Sequence, residues 1–301
     1  MERTSGLKHD SVMLNEVLSL LQPAKGGLFL DCTVGGGGHA RALLAAGAGR
    51  LLAIDRDAEA LPVARETLGS WRARVELVHS DFRAFSSVLT TRGIDTIDGG
   101  AIADLGFSSM QLEGECRGFS FRRDEPLDMR MDRSAGLPAA EMLKDVPEKE
   151  LADVIYNYGG DRYARRIARA VVSSQSREPI TSTSQLATLV RRAIPRHGRQ
   201  KIDPATRTFQ ALRIWVNREL EGLEAFLAEL CRRLHAGARI AILSFHSLED
   251  RIVKRTFREL ERTGKVSLRV LTKRPIRASA EEVARNPRAR SAKLRAAERL
   301  A

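Results

Sequence analysis

The chain has 301 residues, 43% apolar and 29% charged, with 23 Gly and 10 Pro, an ordinary globular balance that gives no support to collagen-like, coiled-coil or disordered readings. Its longest apolar runs, such as Ile240 to Leu243, fall far short of the roughly 20 residues a spanning helix needs, and the opening Met1-Glu2-Arg3-Thr4 leads into no secretory pattern. Three cysteines, Cys32, Cys116 and Cys231, are odd in number and contain no C-x-x-C, so neither a disulfide framework nor a metal cluster is expected and the reading is a cytoplasmic protein with no membrane contact.

The net charge of +12 is unevenly placed: residues 250 to 301 hold sixteen basic against six acidic side chains, while residues 1 to 112 hold eleven against thirteen. A basic C-terminal stretch behind a slightly acidic first third fits two readings, a phosphate-rich partner or a solubilising surface.

In chain order, Leu28 to Leu30 reads as a strand, His39 to Ala46 as a helix, Leu51 to Ile54 as a strand, Asp57 to Leu68 as a helix, Val75 to Val78 as a strand and Gly100 to Ala103 as a fourth. Such alternation predicts a parallel sheet with helices on both faces, an α/β doubly wound start. The next buried strand, Arg239 to Phe245, comes far later than one crossover helix allows. Helical patterning at Leu137 to Tyr158 and Asp161 to Ser173 therefore marks an insertion. Expected boundaries are a first core part over 1–112, an inserted helical substrate-recognition domain over 113–208 and a second core part over 209–301. Asp203-Pro204 supplies a cap and a first-turn proline for one long helix through Phe209, Leu212, Val216, Leu220, Leu223, Leu227, Leu230 and Leu234. Ser247 and Asp250 form a capping box for a helix to about Leu260, and Val266 to Leu271 and Ser291 to Glu298 are two closing strands.

The first strand-to-helix turn, Asp31-Cys32-Thr33-Val34-Gly35-Gly36-Gly37-Gly38-His39, lets backbone approach a ligand at a helix N-terminus. Asp55 ends the second strand, where a carboxylate can accept from both hydroxyls of a ribose. Gly35, Gly37 and Ala40 satisfy G-x-G-x-x-A, so a nicotinamide dinucleotide fits the loop. Asp31 would repel a pyrophosphate yet bind a cationic amino group, and Asp81-Phe82 follows the third strand where an adenine can be received; both favour S-adenosylmethionine. The fourth strand runs into Asp104-Leu105-Gly106-Phe107-Ser108-Ser109-Met110-Gln111, at the strand ends where ligands of such folds gather.

These segments, with His9 to Leu14, Arg117 to Phe121, Pro126 to Asp132, Pro204 to Asn217, Ser244 to Arg251 and Asn286 to Ser291, resemble the bacterial 16S ribosomal RNA cytosine-N4 methyltransferase family, RsmH or MraW. The resemblance covers nearly the whole chain. It implies a Rossmann-like S-adenosylmethionine-dependent methyltransferase with an inserted helical domain, acting on the exocyclic amine of a decoding-centre cytidine in the small ribosomal subunit. It implies cofactor contacts at Gly37, Gly38, His39, Asp55, Phe82, Asp104 and Gln111, to which the loop adds Asp31 and Gly35.

A cytosine amine is a poor nucleophile because its lone pair is delocalised, so an acceptor on its N–H is needed. Asp104, or a backbone carbonyl of its turn, is the first candidate and His246 the second, with Ser108 and Ser109 orienting the base. Phe107, Phe119 and Phe121 offer faces for a flipped pyrimidine. Arg162, Arg165, Arg166 and Arg169 share one predicted helix face and, with the cluster Arg191, Arg192, Arg196, Arg199 and Lys201, are candidate phosphate contacts. Asp128, Arg130 and Asp132 form an ion-pair set or order the substrate. The competing readings are an NAD-dependent oxidoreductase and a non-catalytic RNA-binding assembly factor. No obligate protein partner is indicated.

Overall fold

The computed structural model describes residues 11–114, 116–195 and 202–301. The chain divides into two compact units, residues 1–106 with 221–301, and residues 107–220.

The first unit opens with α1 (Leu14–Leu21) and then alternates β1 (Leu28–Asp31), α2 (Gly38–Ala45), β2 (Arg50–Asp55), α3 (Ala60–Thr67), β3 (Val75–His79), α4 (Phe85–Thr90) and β4 (Gly100–Asp104). The helices of the second unit are α5 (Ser109–Glu113), α6 (Ala139–Met142), α7 (Glu148–Gly159), α8 (Ala164–Gln175), α9 (Thr183–Ala193) and α10 (Ala205–Asn217). The sheet unit resumes with α11 (Leu223–Arg233), β5 (Arg239–Ser244), α12 (Ser247–Thr263), β6 (Leu268–Val270), α13 (Ala280–Arg285) and β7 (Lys293–Arg299).

The seven strands lie in the order β3-β2-β1-β4-β5-β7-β6. The first five are parallel, and β7 runs antiparallel to both β5 and β6. The period-two alternation of strand side chains explains the two apolar layers. Leu30, Leu52, Ile54, Ala101, Ala103, Ile240 and Ile242 face Phe85, Phe226, Leu230, Val253 and Phe257, while Phe29, Leu51, Ala53, Ile102, Ala241 and Leu243 face Val17, Leu21, Leu43, Ala64 and Leu68. This is the α/β architecture expected. All five parallel strands end on one edge, and Asp31, Asp55 and Asp104 are the last residues of β1, β2 and β4.

The helical unit packs α7, α8, α9 and α10 around Leu151, Ile155, Ile167, Leu186, Val190, Phe209 and Leu212. Its limits correct the expected ones. The 208/209 boundary falls inside α10, whose Ala205 and Phe209 belong to this core. The long returning helix is two helices: Arg218 adopts a left-handed φ of 51° and Gly222 one of 69°, so the backbone turns although the leucine spacing continues. The segment Leu137 to Tyr158 is likewise interrupted between α6 and α7, where Pro147 precedes the first turn of α7. The N-cap of α12 is His246 with Glu249, not Ser247 with Asp250. The two closing strands expected over Val266 to Leu271 and Ser291 to Glu298 are β6 and β7. In β7, Lys293 and Arg295 pair with Asp250 at 3.1 and 2.6 Å, while Glu298 pairs with Arg239 and Arg269. Among the described residues no helix is long and apolar enough to cross a membrane, and Cys32, Cys116 and Cys231 form no disulfide.

Candidate active site

The turn after β1 is held open by its neighbours. Asp31 Oδ1 accepts from Thr33 N–H at 3.0 Å, and Thr33 Oγ1 accepts from Asp104 N–H at 2.7 Å, tying the tip of β1 to that of β4. Asp55 takes Gly35 N–H on Oδ2 at 2.7 Å and Asp57 N–H on Oδ1 at 2.8 Å, so this carboxylate braces the glycine loop in the protein itself. Each oxygen retains a second lone pair for a ligand hydroxyl. Gly35 and Gly37 have φ of 50° and 84°, a left-handed backbone open to glycine at little cost. Gly37 is the cap of α2, whose first N–H groups, at Gly38, His39 and Ala40, are those a helix leaves without intrahelical partners.

His39 is buried, and its Nε2 lies 3.7 Å from Asp104 Oδ2. Asp104 Oδ1 is buried and accepts no hydrogen bond among the described residues. Burial pushes Asp31 up to about 7, against the Thr33 N–H and with added repulsion from Asp104 and Asp55. Burial also pushes Asp104 up to about 7, opposed by Arg288 and reinforced by Glu249, and Asp55 up to about 6, opposed by the Asp57 and Gly35 N–H groups. Three carboxyls reluctant to ionise are thus gathered at one sheet edge, and a cationic ligand relieves their repulsion.

An expected result follows for stability. The unfolded chain ionises these groups near 3.8, whereas in the fold they hold protons to about 6 or 7. Their contribution to the ligand-free fold is therefore fully present below the unfolded value and is lost as pH rises to about 7. Asp31→Asn, which keeps an acceptor for Thr33, should gain several degrees of Tm over the parent between pH 5 and pH 8. Thermal melts of both proteins check this, and an equal Tm difference at the two pH values refutes it.

His246 has a structural role that the sequence reading missed. Its Nδ1 accepts Glu249 N–H at 3.4 Å, and its Nε2 lies 3.2 Å from Glu249 Oε1. Phe82 follows β3 and packs at 4.6 Å on Phe226, while Asp81 is engaged by Arg83 at 2.6 and 2.7 Å.

In the helical unit, Ser108 and Gln111 form a capping box for α5: Ser108 Oγ accepts Gln111 N–H at 3.2 Å and Gln111 Oε1 accepts Ser108 N–H at 3.0 Å. Ser109 opens that helix. Phe107 and Phe119 stack on each other at 5.5 Å, with the Arg213 guanidinium 4.7 Å from the Phe107 ring and that of Arg117 5.9 Å from Phe119. Phe121 meets Phe209 edge-on and Arg191. All three aromatic side chains expected to take a base thus have protein partners. Arg130 grips Asp128 through Nε and Nη2 at 2.8 and 2.9 Å.

Sequence reasoning overlooked the residues that hold this segment. Asn217 accepts Met131 N–H at 2.7 Å and donates to Met129 and Arg213 carbonyls, Arg117 donates to Met131 O, and Arg213 pairs with Glu219. The available signal was two polar residues four apart, Arg213 and Asn217, in an apolar helix.

Arg165, Arg166 and Arg169 lie on the exposed face of α8, whereas Arg162 precedes the helix and lies over Tyr163. Arg169 is 3.4 Å from Glu148. Arg191 is paired with Asp203 at 2.8 Å. Arg196, Arg199 and Lys201 lie outside the described residues.

The profile of the MraW methylase family matches residues 6–300. The chain belongs to that family. Among curated relatives of this MraW-family chain, a protein of Geobacter sp. (strain M21) named ribosomal RNA small subunit methyltransferase H is 46% identical, covering 97% of this chain and 98% of the relative. Proteins of the same name from Syntrophotalea carbinolica and Anaplasma marginale (strain Florida) are 48% and 47% identical, covering 97% of this chain and 98% and 99% of theirs. The MraW family thus accounts for the motifs at both ends of the chain and for those of the insertion.

Proposed function

We propose that this chain transfers a methyl group from S-adenosylmethionine to the exocyclic N4 of a decoding-centre cytidine in 16S ribosomal RNA of the small subunit. The observation that carries the reading is the gathering of Asp31, Asp55 and Asp104 around the glycine loop, joined to the shared name of relatives that match nearly end to end. The donor set suits that cofactor. The carboxyl of Asp31 suits a cationic amino acid moiety, the first N–H groups of α2 suit its carboxylate and Asp55 suits ribose hydroxyls, which leaves the buried Oδ1 of Asp104 for the substrate amine. A dinucleotide pyrophosphate is disfavoured by the same carboxylates.

When bound, S-adenosylmethionine supplies an electrophilic methyl group on a sulfonium. The protein's part is to hold the amine in line with it and to draw on the amine N–H. Asp104 does the latter, accepting that hydrogen bond, favouring the pyramidal nitrogen and taking the proton released on transfer. Its raised pKa, about 7, makes it a competent proton acceptor near neutrality. His246, occupied in capping α12, is the weaker candidate. Gly37, Gly38, His39 and Phe82 border the cofactor in this reading, and Arg165, Arg166 and Arg169 contribute phosphate contacts from the helical unit. Methylation takes place in the cytoplasm, where the substrate is.

Incubation with S-adenosylmethionine and unmethylated small subunits, followed by nucleoside mass spectrometry, should yield N4-methylcytidine. Saturable NADH binding by calorimetry without S-adenosylmethionine binding would favour the oxidoreductase reading instead. Cofactor and RNA binding with no methylated product would favour an assembly factor.

A further inference from the structure

The helical unit contains a cleft of about 470 Å³ lined by Asp161, Arg162, Tyr163, Ile194, Ile202, Asp203, Pro204 and Arg207. It lies where the loop before α8, the end of α9 and the start of α10 meet. None of the three sheet-edge carboxylates lines it.

Its chemistry is unequal in sign. Asp161 is buried and its Oδ1 accepts Tyr163 N–H at 2.8 Å. Asp203 accepts Ala205 N–H at 2.9 Å on Oδ1 and binds Arg191 through Oδ1 at 3.2 Å and Oδ2 at 2.8 Å. Both lining carboxylates are thereby committed. The lining guanidiniums keep their charge unpaired: Arg162 and Arg207 are exposed and make no ion pair among the described residues, Arg207 donating from Nη1 only to the neutral Gly160 carbonyl at 3.5 Å, and Arg165 and Arg166 follow on the adjoining face of α8, exposed and likewise without an ion pair. The Arg162 guanidinium lies 4.7 Å from the Tyr163 ring centroid, a flat cation backed by an aromatic. Ile202, 67% exposed, is one of the few large apolar side chains left open to water.

We propose that this cleft binds an unpaired nucleotide of the RNA substrate, its base against the Arg162–Tyr163 platform and Ile202 and its phosphate on Arg207. Guanidinium planes and aromatic rings are the surfaces on which splayed RNA bases stack, and each such contact is worth about 1–3 kcal/mol. A paired nucleotide cannot enter, because its base faces are buried in the helix stack. The cleft would therefore select a looped or single-stranded region and fix its register, separately from the nucleotide that receives the methyl group. This inference rests on the RNA reading above.

Two measurements on the full chain test it. With unmethylated small subunits as substrate, Tyr163→Ala, Arg207→Ala and Ile202→Ala should each raise KM for the subunit several-fold, about tenfold for Tyr163→Ala, leaving kcat and S-adenosylmethionine affinity unchanged; Tyr163→Phe should stay near the parent. The second measures anisotropy of a short fluorescein-labelled single-stranded RNA and of the same strand in a duplex. Tyr163→Ala should weaken the single strand about tenfold and the duplex little. An active parent whose three variants keep KM within twofold overturns the proposal, as does equal weakening of both RNAs. Photocrosslinking of Tyr163 to a ribosomal protein rather than to RNA overturns it too. If the parent makes no methylated product, the methyltransferase reading fails, while the anisotropy series still decides the cleft. Ile202 is exposed, so its variant reads binding without loss of core packing.

Discussion

Asp104→Ala should lower kcat for methyl transfer by about 10²-fold or more, within the range usual for loss of a positioned acid or base. The fold should survive the change. The Asp104 side chain accepts no hydrogen bond among the described residues, its Oδ2 lies 3.7 Å from His39 Nε2, and the bond that joins β4 to Thr33 runs through the Asp104 backbone N–H. Deleting a carboxyl whose ionisation is opposed by burial relieves the fold rather than stressing it. Asp104→Asn separates shape from charge: it keeps an oxygen at the same place but cannot take the proton. Single-turnover methylation of small subunits, with cofactor and RNA affinities measured alongside, is the check. Asn activity within threefold of the parent would remove Asp104 from proton transfer.

The second large effect is on stability. Arg213 and Glu219 form a bidentate pair at 2.8 Å on both arms, with only 10% and 5% of their side chains exposed. Removing one partner of such a pair strands the other, at about 3–5 kcal/mol. Arg213→Ala also strips the guanidinium from beside Phe107. Lys should not substitute, because it lacks the planar fork. The chain has two tryptophans, Trp71 in the sheet unit and Trp215 in α10. In a Trp71→Phe background, fluorescence during urea unfolding therefore reports the helical unit. Its midpoint should fall sharply for Arg213→Ala and recover in part when Glu219 is also replaced by Met. An unchanged midpoint would mean that the pair adds nothing to this unit.

Much of the sheet was legible because parallel strands buried on both faces are short apolar runs punctuated by glycine turns, and β1 to β5 fall within a residue or two of their expected limits. The candidate carboxylates were legible for the same reason: Asp31, Asp55 and Asp104 are where those runs stop. The break between α10 and α11 was not, since Leu220 and Leu223 continue the helical spacing while Arg218 and Gly222 turn the backbone. A histidine cap was missed because Nδ1 can accept like a Ser oxygen, which moves the α12 cap one residue earlier than Ser247. Phe107 and Phe119 show a further limit. Aromatic residues in a motif advertise a face, but sequence cannot say that each already has the other as partner. The same holds for Arg130, whose charge is spent on Asp128.

The placement of β7 has a consequence for biogenesis. It sits between β5 and β6, both translated before it, and bonds to each in antiparallel register. A nascent chain that has emerged as far as β6 must therefore keep a gap beside β5 with two unsatisfied edges, the arrangement most prone to pairing with a stranger. Only when Lys293 to Arg299 arrive is the gap closed and Asp250 neutralised by Lys293 and Arg295. Maturation of this protein is thus timed by its last strand, and shielding by a chaperone matters most in the interval before that strand appears.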